Sequence, residues 1–444
     1  MPGWRRRRPP PRSAPDPPVD DTVARPPATD FICRRTHQML PIITGMGCIS
    51  ALGHGVDALW NGLLHGRSGI RPITSFAHDG LRNVKAGIVP DGPELGAFAH
   101  EYGIRHRLLL YALIAIDEAL ADAGIDRADF KEKAARGRAV VLLGTSLGMS
   151  LVDRDGVPDE VLTIHDGDPD NADLDRLAAE ADRLLGAPGV TMIVSTACAS
   201  STHALALARD LIRAGEAELV VAGGADSLDR MKYLGHSALQ TLSLDVPRPF
   251  STARDGTLFG EGAGFLVVEP ARARAGRPVR AALVGAGYST DITHVTAPDP
   301  EGSGAAMAMR SALIDSGITP EAVGHVNLHG SGTALNDIAE AKAMAAVFGS
   351  AAAALPATSI KAAVGHAMGA AGAIEAIATI RTLETGLVPP TLGLGPLEVD
   401  GGLDIVTGSP RRVDDLVFAL SNSFGFGGAN GVVALAKTSG EVPA

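Results

Sequence analysis

One cysteine lies in a sequence context that favours nucleophilic chemistry. Cys198 lies in VSTACASSTHALALA, where an apolar run ends and an Ala-rich helical pattern begins. A thiol at a helix N-terminus feels the positive end of the helix dipole, which lowers its pKa and favours the thiolate. The small neighbours leave room for a substrate carbonyl. A free cysteine is also commonly a small buried apolar residue, so Cys198 alone leaves both interpretations open.

Two histidines occupy similar positions between elements. His329 follows an apolar strand in HVNLHGSGTALNDIAEAKAM, and His366 lies in SIKAAVGHAMGAAG before a small-residue helix. Loops after strands are where α/β folds place catalytic groups. A single histidine in such a place is more often structural. Two histidines and a cysteine at corresponding strand ends of a duplicated fold would instead meet at one site.

A glycine-rich turn precedes the last strand in NSFGFGGANG, residues 422–431. No lysine follows it and no helix begins from it, so it is neither a Walker nor a Rossmann phosphate loop. Its backbone N–H groups could face the substrate and supply an oxyanion donor. The GEGAG segment, residues 260–264, is not GxGxxG either and indicates close strand packing or a turn.

Short apolar runs alternate with helical patterns from residue 40 onward, which predicts an α/β fold with buried sheets. The predicted strands are PIITGMGCIS, RAVVLLGTS, TMIVSTA, ELVVAGGA, GAGFLVVEP, RAALVGAGY, HVNLHGS and GANGVVALA. The predicted helices are RLLLYALIAIDEALADAGI, SSTHALALARDLIRAG, GAAMAMRSALIDSGI and AGAIEAIATIRTLETG, each with a glycine in its last or second-last position, as is common at helix C-termini.

Two pairs of similar segments, which occur in the same order along the chain, indicate an internal duplication. ALADAGI and ALIDSGI end two helices, while STACASSTHALALA and SIKAAVGHAMGAAGA both run from a strand end into an Ala-rich helix. We therefore predict a disordered leader over residues 1–38, an N-terminal half over 39–275 and a C-terminal half over 276–444. Translation from Met39 is an alternative start. The acidic stretch 153–189 is predicted to be a surface excursion with one helix, serving as a lid, a subunit contact or decoration.

Composition narrows the class of protein. The chain has 444 residues, 45% of them hydrophobic, and its formal charge of -11 argues against a general nucleic-acid surface. Three scattered cysteines, Cys33, Cys48 and Cys198, fit neither a disulfide framework nor a zinc cluster. No apolar run reaches the roughly 18 residues of a membrane helix. We expect a cytoplasmic protein without membrane or nucleic-acid partners.

The motifs together resemble the β-ketoacyl synthases, in particular their elongating Cys-His-His type. TACASS, NLHGSGT, SIKAAVGHAMGAAG, RPFSTARDGTLFGEGAGFLVVE and NSFGFGGANG occur in the order and spacing of that family, over about residues 40–438. The resemblance implies a thiolase-like α/β fold of five αβαβα layers, built from two duplicated halves. It also implies a dimer with its interface near the active sites.

The resemblance assigns roles to individual residues. Cys198 would be the nucleophile, and His329 with His366 would serve decarboxylation and condensation. Lys361 and Glu340 would support the histidines electrostatically. The N–H groups of Cys198 and Phe426 would form the oxyanion hole, with Phe426 also resembling a gating phenylalanine. The implied substrate-binding residues are Ser331, Thr333 and Leu147.

Three departures from the family pattern stand out. HGTST is replaced by His329, Gly330, Ser331, Gly332 and Thr333, which keeps a hydroxyl at Ser331. PFD is replaced by Pro249, Phe250 and Ser251, which should affect local structure more than chemistry. The acidic stretch 153–189 falls where family members line the acyl pocket and the dimer contact.

The implied reaction is a decarboxylative Claisen condensation that uses no metal and no redox cofactor, because its substrates are carried on the phosphopantetheine of an acyl carrier protein. Type II polyketide or other specialised biosynthesis is favoured over fatty-acid synthesis. The dimer would be homomeric or shared with a chain-length-factor-like subunit. Lys85 matches a region where the family contacts its carrier, although a solvated surface lysine is the simpler interpretation.

Three rival functions remain open at this point. A biosynthetic thiolase would use a second cysteine as base, and none follows Cys198. A cysteine hydrolase would not explain two histidines and a lysine. A catalytically weak subunit that only shapes a partner's tunnel would be expected to lack the nucleophile, which this sequence keeps.

Overall fold

The computed structural model describes residues 39–104, 106–148, 174–273, 276–394 and 402–438. The predicted leader 1–38 with Cys33, the boundary at residue 275 and the first part of the acidic stretch lie outside the described residues. The remainder of that stretch contains the predicted helix, α5.

The elements alternate as the sequence predicts. The helices are α1 (Val56–Leu64), α2 (Pro93–Tyr102), α3 (Arg107–Asp122), α4 (Arg127–Ala135), α5 (Leu174–Leu185), α6 (Ser200–Ala214), α7 (Arg230–Ala238), α8 (Ser303–Ser316), α9 (Asn336–Phe348), α10 (Lys361–Val364) and α11 (Ala371–Thr385). The strands are β1 (Pro41–Ser50), β2 (Gly53–His54), β3 (Ile70–Pro72), β4 (Lys85–Gly87), β5 (Ala139–Gly144), β6 (Thr191–Val194), β7 (Leu219–Asp226), β8 (Gly262–Pro270), β9 (Ala281–Thr290), β10 (Val323–Asn327), β11 (Ala357–Thr358), β12 (Leu387–Val388), β13 (Arg411–Arg412), β14 (Phe418–Phe424) and β15 (Ala429–Ala436).

Two sets of five strands repeat one topology. The first set runs β6-β5-β7-β8-β1 and the second runs β11-β10-β14-β15-β9. Counted within its own set, each follows the order third, second, fourth, fifth, first, with the same parallel and antiparallel pairings. The sets meet at β1 and β9, which pair only through Ile42 and Ile43. The predicted duplication is confirmed.

The helices form layers around these strands. Helix α3 packs on the outer face of β1, β7 and β8, whereas α8 packs on β9 and β15 and α9 packs against α8. Helices α6 and α11 lie between the two strand sets and contact both. The result is the predicted five-layered αβαβα arrangement. Strands covered on both faces explain the continuous apolar runs of β1, β7 and β8, every residue of which is buried.

Small residues bring the two central helices together at their N-termini. A Cβ on Gly372 would lie 2.0 Å from the Oγ1 of Thr202, so only glycine allows this approach. The backbone N–H of Ala373 donates to the Oγ of Ser201 at 3.0 Å. Because Cys198 and His366 lie just before these helices, the close packing places their two loops side by side.

Candidate active site

Cys198 lies in a strained turn between β6 and α6. Ala197 has a φ of 51°, a left-handed conformation that L-residues rarely adopt. The Oγ of Ser200 accepts from the N–H of Thr196 at 2.9 Å and donates to the carbonyl of Thr145 at 3.0 Å. Met368, three residues before α11 as Ala197 is before α6, has a φ of 52°. The turn is therefore repeated in both halves.

The expectation that Cys198 rests as a thiolate is wrong. Burial raises the pKa of the Cys198 thiol to about 11, and the nearby charges of Asp226 and Glu375 act in the same direction. The Lys361 ammonium and the N–H of Phe426 oppose this shift without overcoming it. The loss of solvation outweighs these two groups, so the resting thiol is neutral.

His329 is held through its backbone. A single carboxylate, that of Glu340, accepts from the N–H groups of His329 and Gly330 at 2.8 Å each. The Nδ2 of Asn422 donates to Glu340 at 3.2 Å from β14. The Nζ of Lys361 donates to the carbonyl of His329 at 2.6 Å. Glu340 and Lys361 thus contact the loop that carries the imidazole rather than the ring itself.

His366 is fixed in one tautomer. Its Nδ1 accepts from the N–H of Met368 at 3.2 Å, which assigns the ring proton to Nε2. Its backbone pairs with the 258–260 segment, donating to the carbonyl of Leu258 at 2.7 Å and accepting from Gly260 at 2.9 Å. The rings of His329 and His366 lie 5.3 Å apart at 81°.

Both imidazoles are neutral. Burial lowers the pKa of His329 and of His366 well below its usual value, and the Lys361 ammonium lowers both further. The Nδ1 of His329 and the Nε2 of His366 are buried and have no hydrogen-bond partner within the described part of the chain. Such unpartnered polar atoms in a pocket are suited to a ligand.

Sequence reasoning found Lys361 through the family pattern but missed its partner. Glu375, on α11, forms a buried ion pair with the Nζ of Lys361. Burial raises the pKa of Glu375 to about 7, and Lys361 opposes that shift. A signal existed, because Glu375 is the sole formally charged residue between Lys361 and Arg381 in an otherwise apolar stretch.

A pocket of about 440 Å³ joins the predicted residues. Cys198, His329, His366 and Phe426 line it together with the predicted substrate-binding residues Ser331, Thr333 and Leu147. The hydroxyls of Ser331 and Thr333 lie 2.9 Å apart. Leu147 is 64% exposed although it lines the pocket, so this part of the wall is open among the residues that the structure describes.

The glycine-rich turn approaches the nucleophile as predicted. A Cβ on Gly425 would lie 3.0 Å from the backbone nitrogen of Cys198. The Phe426 N–H is directed at the Cys198 thiol. The Phe426 ring stacks on His236 of α7, with centroids 5.2 Å apart and an interplanar angle of 12°. His236 was not identified from the sequence, where nothing distinguishes it.

Lys85 lies in β4, outside the pocket wall. Its side chain is 41% exposed, and its Nζ donates to Asp245 at 2.9 Å. Asp245 also accepts from Arg248 at 2.8 Å. Contact with a carrier through Lys85 stays a prediction.

The described residues include neither a cluster of metal-ligating side chains nor a helix that could cross a membrane. In that part of the chain, three or more His, Cys, Asp or Glu side chains nowhere come together as a possible metal site. None of its helices combines the length and the apolar character needed to cross a membrane.

Family comparison covers most of the chain. Residues 42–273 match the family model described as Beta-ketoacyl synthase, N-terminal domain. Residues 280–395 match the model described as Beta-ketoacyl synthase, C-terminal domain.

Individual relatives agree with the family models. The 3-oxoacyl-[acyl-carrier-protein] synthase 2 of Vibrio cholerae is 34% identical, over 88% of this chain and 97% of the relative. Among solved structures, the ishigamide ketosynthase/chain length factor is 34% identical with a TM-score of 0.80, covering 90% of this chain and 99% of that one. A type II polyketide synthase ketosynthase bound to its acyl-carrier protein, AntDE:AntF, is 27% identical with a TM-score of 0.77, covering 90% and 99%.

Proposed function

The chain belongs to the β-ketoacyl synthase family of condensing acyltransferases, and we propose that it joins an acyl chain held on Cys198 to a malonyl unit delivered by a carrier protein. One observation supports this most directly. A half-buried thiol and two neutral imidazoles line the same pocket, and His366 has its proton on an Nε2 with no protein partner within the described residues. That arrangement suits a nucleophile beside a hydrogen-bond donor for a thioester carbonyl.

The first step is a thioester exchange. The sulfur of Cys198 attacks the carbonyl of an acyl-carrier thioester, the carrier thiol leaves, and the proton of Cys198 passes to that thiol. Because the resting thiol is neutral, its proton must move as the new bond forms. The backbone N–H groups of Cys198 and Phe426 would hold the tetrahedral oxyanion, and Lys361 favours negative charge at the sulfur.

The second step generates the carbon nucleophile. A malonyl thioester loses carbon dioxide, and the electron pair of the broken C–C bond passes into an enolate. His329 and His366 would donate hydrogen bonds to the enolate oxygen, which is the thioester carbonyl oxygen before the loss. The neutral state of both rings avoids binding the departing carboxylate as an ion pair. Burial excludes the water that would protonate the enolate.

The third step forms the carbon-carbon bond. The enolate carbon attacks the acyl carbonyl on Cys198, and the oxyanion hole is used again. Collapse expels the sulfur of Cys198, which takes from solvent the one proton that the overall reaction consumes, and the β-ketoacyl product leaves on the carrier. Ser331 and Thr333 line the pocket as hydroxyl donors for the carrier arm. None of these steps uses a redox cofactor.

We place the enzyme in type II polyketide or other specialised biosynthesis rather than in fatty-acid synthesis. Two similar solved structures are the ishigamide ketosynthase/chain length factor and the ketosynthase of a type II polyketide synthase. The curated relatives named 3-oxoacyl-[acyl-carrier-protein] synthase 2 support the alternative pathway. We propose an acyl carrier protein as partner, with a second ketosynthase-like subunit closing the pocket at Leu147.

We also propose a cytoplasmic location and the division into halves at residue 275.

The test is intact mass spectrometry of the purified protein after incubation with a panel of acyl-carrier thioesters, followed by malonyl-carrier. We expect a mass increase equal to one acyl group, its loss on adding malonyl-carrier, and a β-ketoacyl carrier product. The chain length loaded best identifies the substrate. Size-exclusion mass measurement with and without a candidate chain-length factor separates a homodimer from a heterodimer.

A cysteine-directed acyl analogue such as cerulenin gives the matched control. Cys198→Ala should abolish labelling, and Cys48→Ala should leave it unchanged because Cys48 is fully buried in β1. A folded wild-type chain that takes neither label nor acyl group is a scaffold subunit, and the proposal is then wrong. Acyl loading followed by release of the free acid alone would indicate a hydrolase.

A further inference from the structure

A second buried ion pair borders the pocket and has no part in the mechanism above. Asp226, the last residue of β7, is 0% exposed, and Lys232 of α7 is 3% exposed. The Nζ of Lys232 lies 3.1 Å from the Oδ1 of Asp226. Lys232 itself lines the pocket that holds Cys198. Lys and Asp side chains are almost never fully buried unless they are paired.

The carboxylate of Asp226 joins two catalytic loops. Its Oδ2 accepts from the N–H of Ser146 at 2.9 Å, in the loop after β5. The same oxygen accepts from the N–H of Gly369 at 2.7 Å, three residues beyond His366. The Oγ1 of Thr145 donates to Oδ1 at 3.0 Å. One side chain therefore fixes the loop behind the nucleophile relative to the turn that carries His366.

Both joined loops reach the reacting groups. The carbonyl of Thr145 accepts from Ser200 at the start of α6, next to Cys198. The N–H of Met368, adjacent to Gly369, donates to the Nδ1 of His366 and so determines its tautomer. A displacement of the Asp226 carboxylate would be transmitted to the sulfur and to the imidazole.

Lys232 neutralises the carboxylate. Its Nζ also donates to the carbonyl of Ser227 at 2.9 Å and lies 3.5 Å from Asp229, which caps α7. Burial lowers the pKa of Lys232, but Asp226 and Asp229 outweigh that and raise it overall, so the ammonium stays charged. Without it, Asp226 would be a buried anion beside a sulfur that must become negative.

We propose that Asp226 and Lys232 form a positioning pair that sets the distance between Cys198 and His366 for condensation. The proposal rests on the proposed function. It parallels Lys361 and Glu375, whose ammonium holds the carbonyl of His329. Each catalytic histidine thus lies in a segment held by its own buried lysine and carboxylate.

The test compares Lys232→Met, Lys232→Arg and the double variant Asp226→Asn/Lys232→Met. We expect Lys232→Met to lower kcat for condensation roughly tenfold or more, with the KM for malonyl-carrier little changed, because reacting groups are misplaced rather than substrate binding lost. Lys232→Arg should retain most of the rate. Lys342→Met, which removes an exposed ion pair with Glu301 outside the pocket, should behave as wild type.

Alkylation of Cys198 by iodoacetamide as a function of pH gives an independent readout. We expect the alkylation curve of Lys232→Met to move to higher pH, since an unpaired anion disfavours the thiolate. The double variant should return the curve towards wild type while condensation stays slow, because one amide oxygen replaces a carboxylate that accepts several bonds. The two variants therefore separate the effect of the Asp226 charge from the effect of its hydrogen bonds to Ser146 and Gly369.

Three outcomes would overturn the proposal. One is a folded Lys232→Met that keeps kcat within about twofold of wild type. Another is a loss of rate explained entirely by loss of alkylatable Cys198, which marks a purely structural pair. If the wild type condenses no thioester, the proposed function is wrong. The third outcome is then read from alkylation alone: the pair is rejected if the alkylation curves of Lys232→Met and the wild type coincide.

Discussion

At the scale of single residues, exclusion of water determines the protonation states of the catalytic groups. Burial raises the pKa of Cys198 and lowers that of both histidines, so all three groups rest neutral. A neutral thiol is a weaker nucleophile than the thiolate predicted from the helix terminus. The burial that weakens the thiol strengthens every hydrogen bond made to a developing oxyanion.

The histidines give a pH prediction. Their pKa values lie below the ordinary value of about 6.5, so both rings stay neutral as pH falls through that value. Protonating His366 at Nδ1 would also break its bond from the N–H of Met368. We expect the histidines themselves to cause no fall in the rate of carbon dioxide release from malonyl-carrier as the pH falls from about 8 to 6.5. Glu340 and Glu375 titrate within that range, because burial raises the pKa of each to about 7. A decline centred near 6.5 that persists in both Glu340→Gln and Glu375→Gln, with circular dichroism unchanged, would contradict this.

Lys361 gives a second prediction at this scale. Lys361→Met leaves Glu375 as an unpaired buried carboxylate, and breaking such a pair costs about 3–5 kcal/mol of unfolding free energy. It also frees the carbonyl of His329 and removes the charge that favours a negative sulfur at Cys198. We expect both stability in urea and condensation to fall.

The control for Lys361 is the double variant Lys361→Met/Glu375→Met. It removes both charges, so unfolding free energy should recover substantially while condensation stays impaired. Recovery of activity together with stability would show that Lys361 acts through the fold alone.

At the scale of elements, the sequence predicts much of what positions the site. The run GAGFLVVEP corresponds residue for residue to β8, and the AGAIEAIATIRTLET pattern corresponds to α11. Both are long, uniform patterns that local propensity decides. Hydrogen bonds between residues distant in sequence were not predicted, such as the one from the N–H of Gly369 to Asp226. No local sequence pattern indicates which carboxylate will accept from which N–H. His236 was missed for the same reason, since its stacking partner is 190 residues away.

The contact between α6 and α11 gives an element-scale prediction. Gly372→Ala would place a methyl group 2.0 Å from the Oγ1 of Thr202, which is itself bonded to Ser423 at 2.7 Å. We expect a loss of about 1–3 kcal/mol of unfolding free energy from overpacking, despite the better helix propensity of alanine. Slower condensation should accompany it, because the two helix starts carry Cys198 and His366.

Gly235→Ala is the matched control. It lies inside α7, and its added methyl group would meet no atom of the described residues within 4 Å. Its melting temperature should stay level or rise, in line with a gain of up to about 1 kcal/mol from helix propensity. Equal effects of the two substitutions in thermal unfolding would show that close helix approach is not what Gly372 provides.

At the scale of the whole molecule, the duplication places two copies of the same turn at one site, and the two copies carry different catalytic residues. The same strand order and the same left-handed residue before each central helix occur in both halves. One copy of the turn presents Cys198, and the corresponding turn follows His366. The sequence echoes predicted this pairing, but the depth of burial that decides the protonation states depends on all five layers. Among the described residues the pocket wall is open at Leu147, and we propose this as the place where a further subunit would complete the pocket.

The net charge of -11 leads to a prediction about the carrier protein, which is itself expected to be acidic. Two acidic proteins repel at long range, so binding requires cations at the contact. Lys85 and Arg248 are two such cations, and both donate to the carboxylate of Asp245. Lys85→Glu should weaken carrier binding at low salt and have little effect at high salt. Asp245→Asn should strengthen binding, because it releases two cations. Calorimetric titration at two salt concentrations checks both, and affinities that do not move in opposite directions would remove Lys85 from the interface.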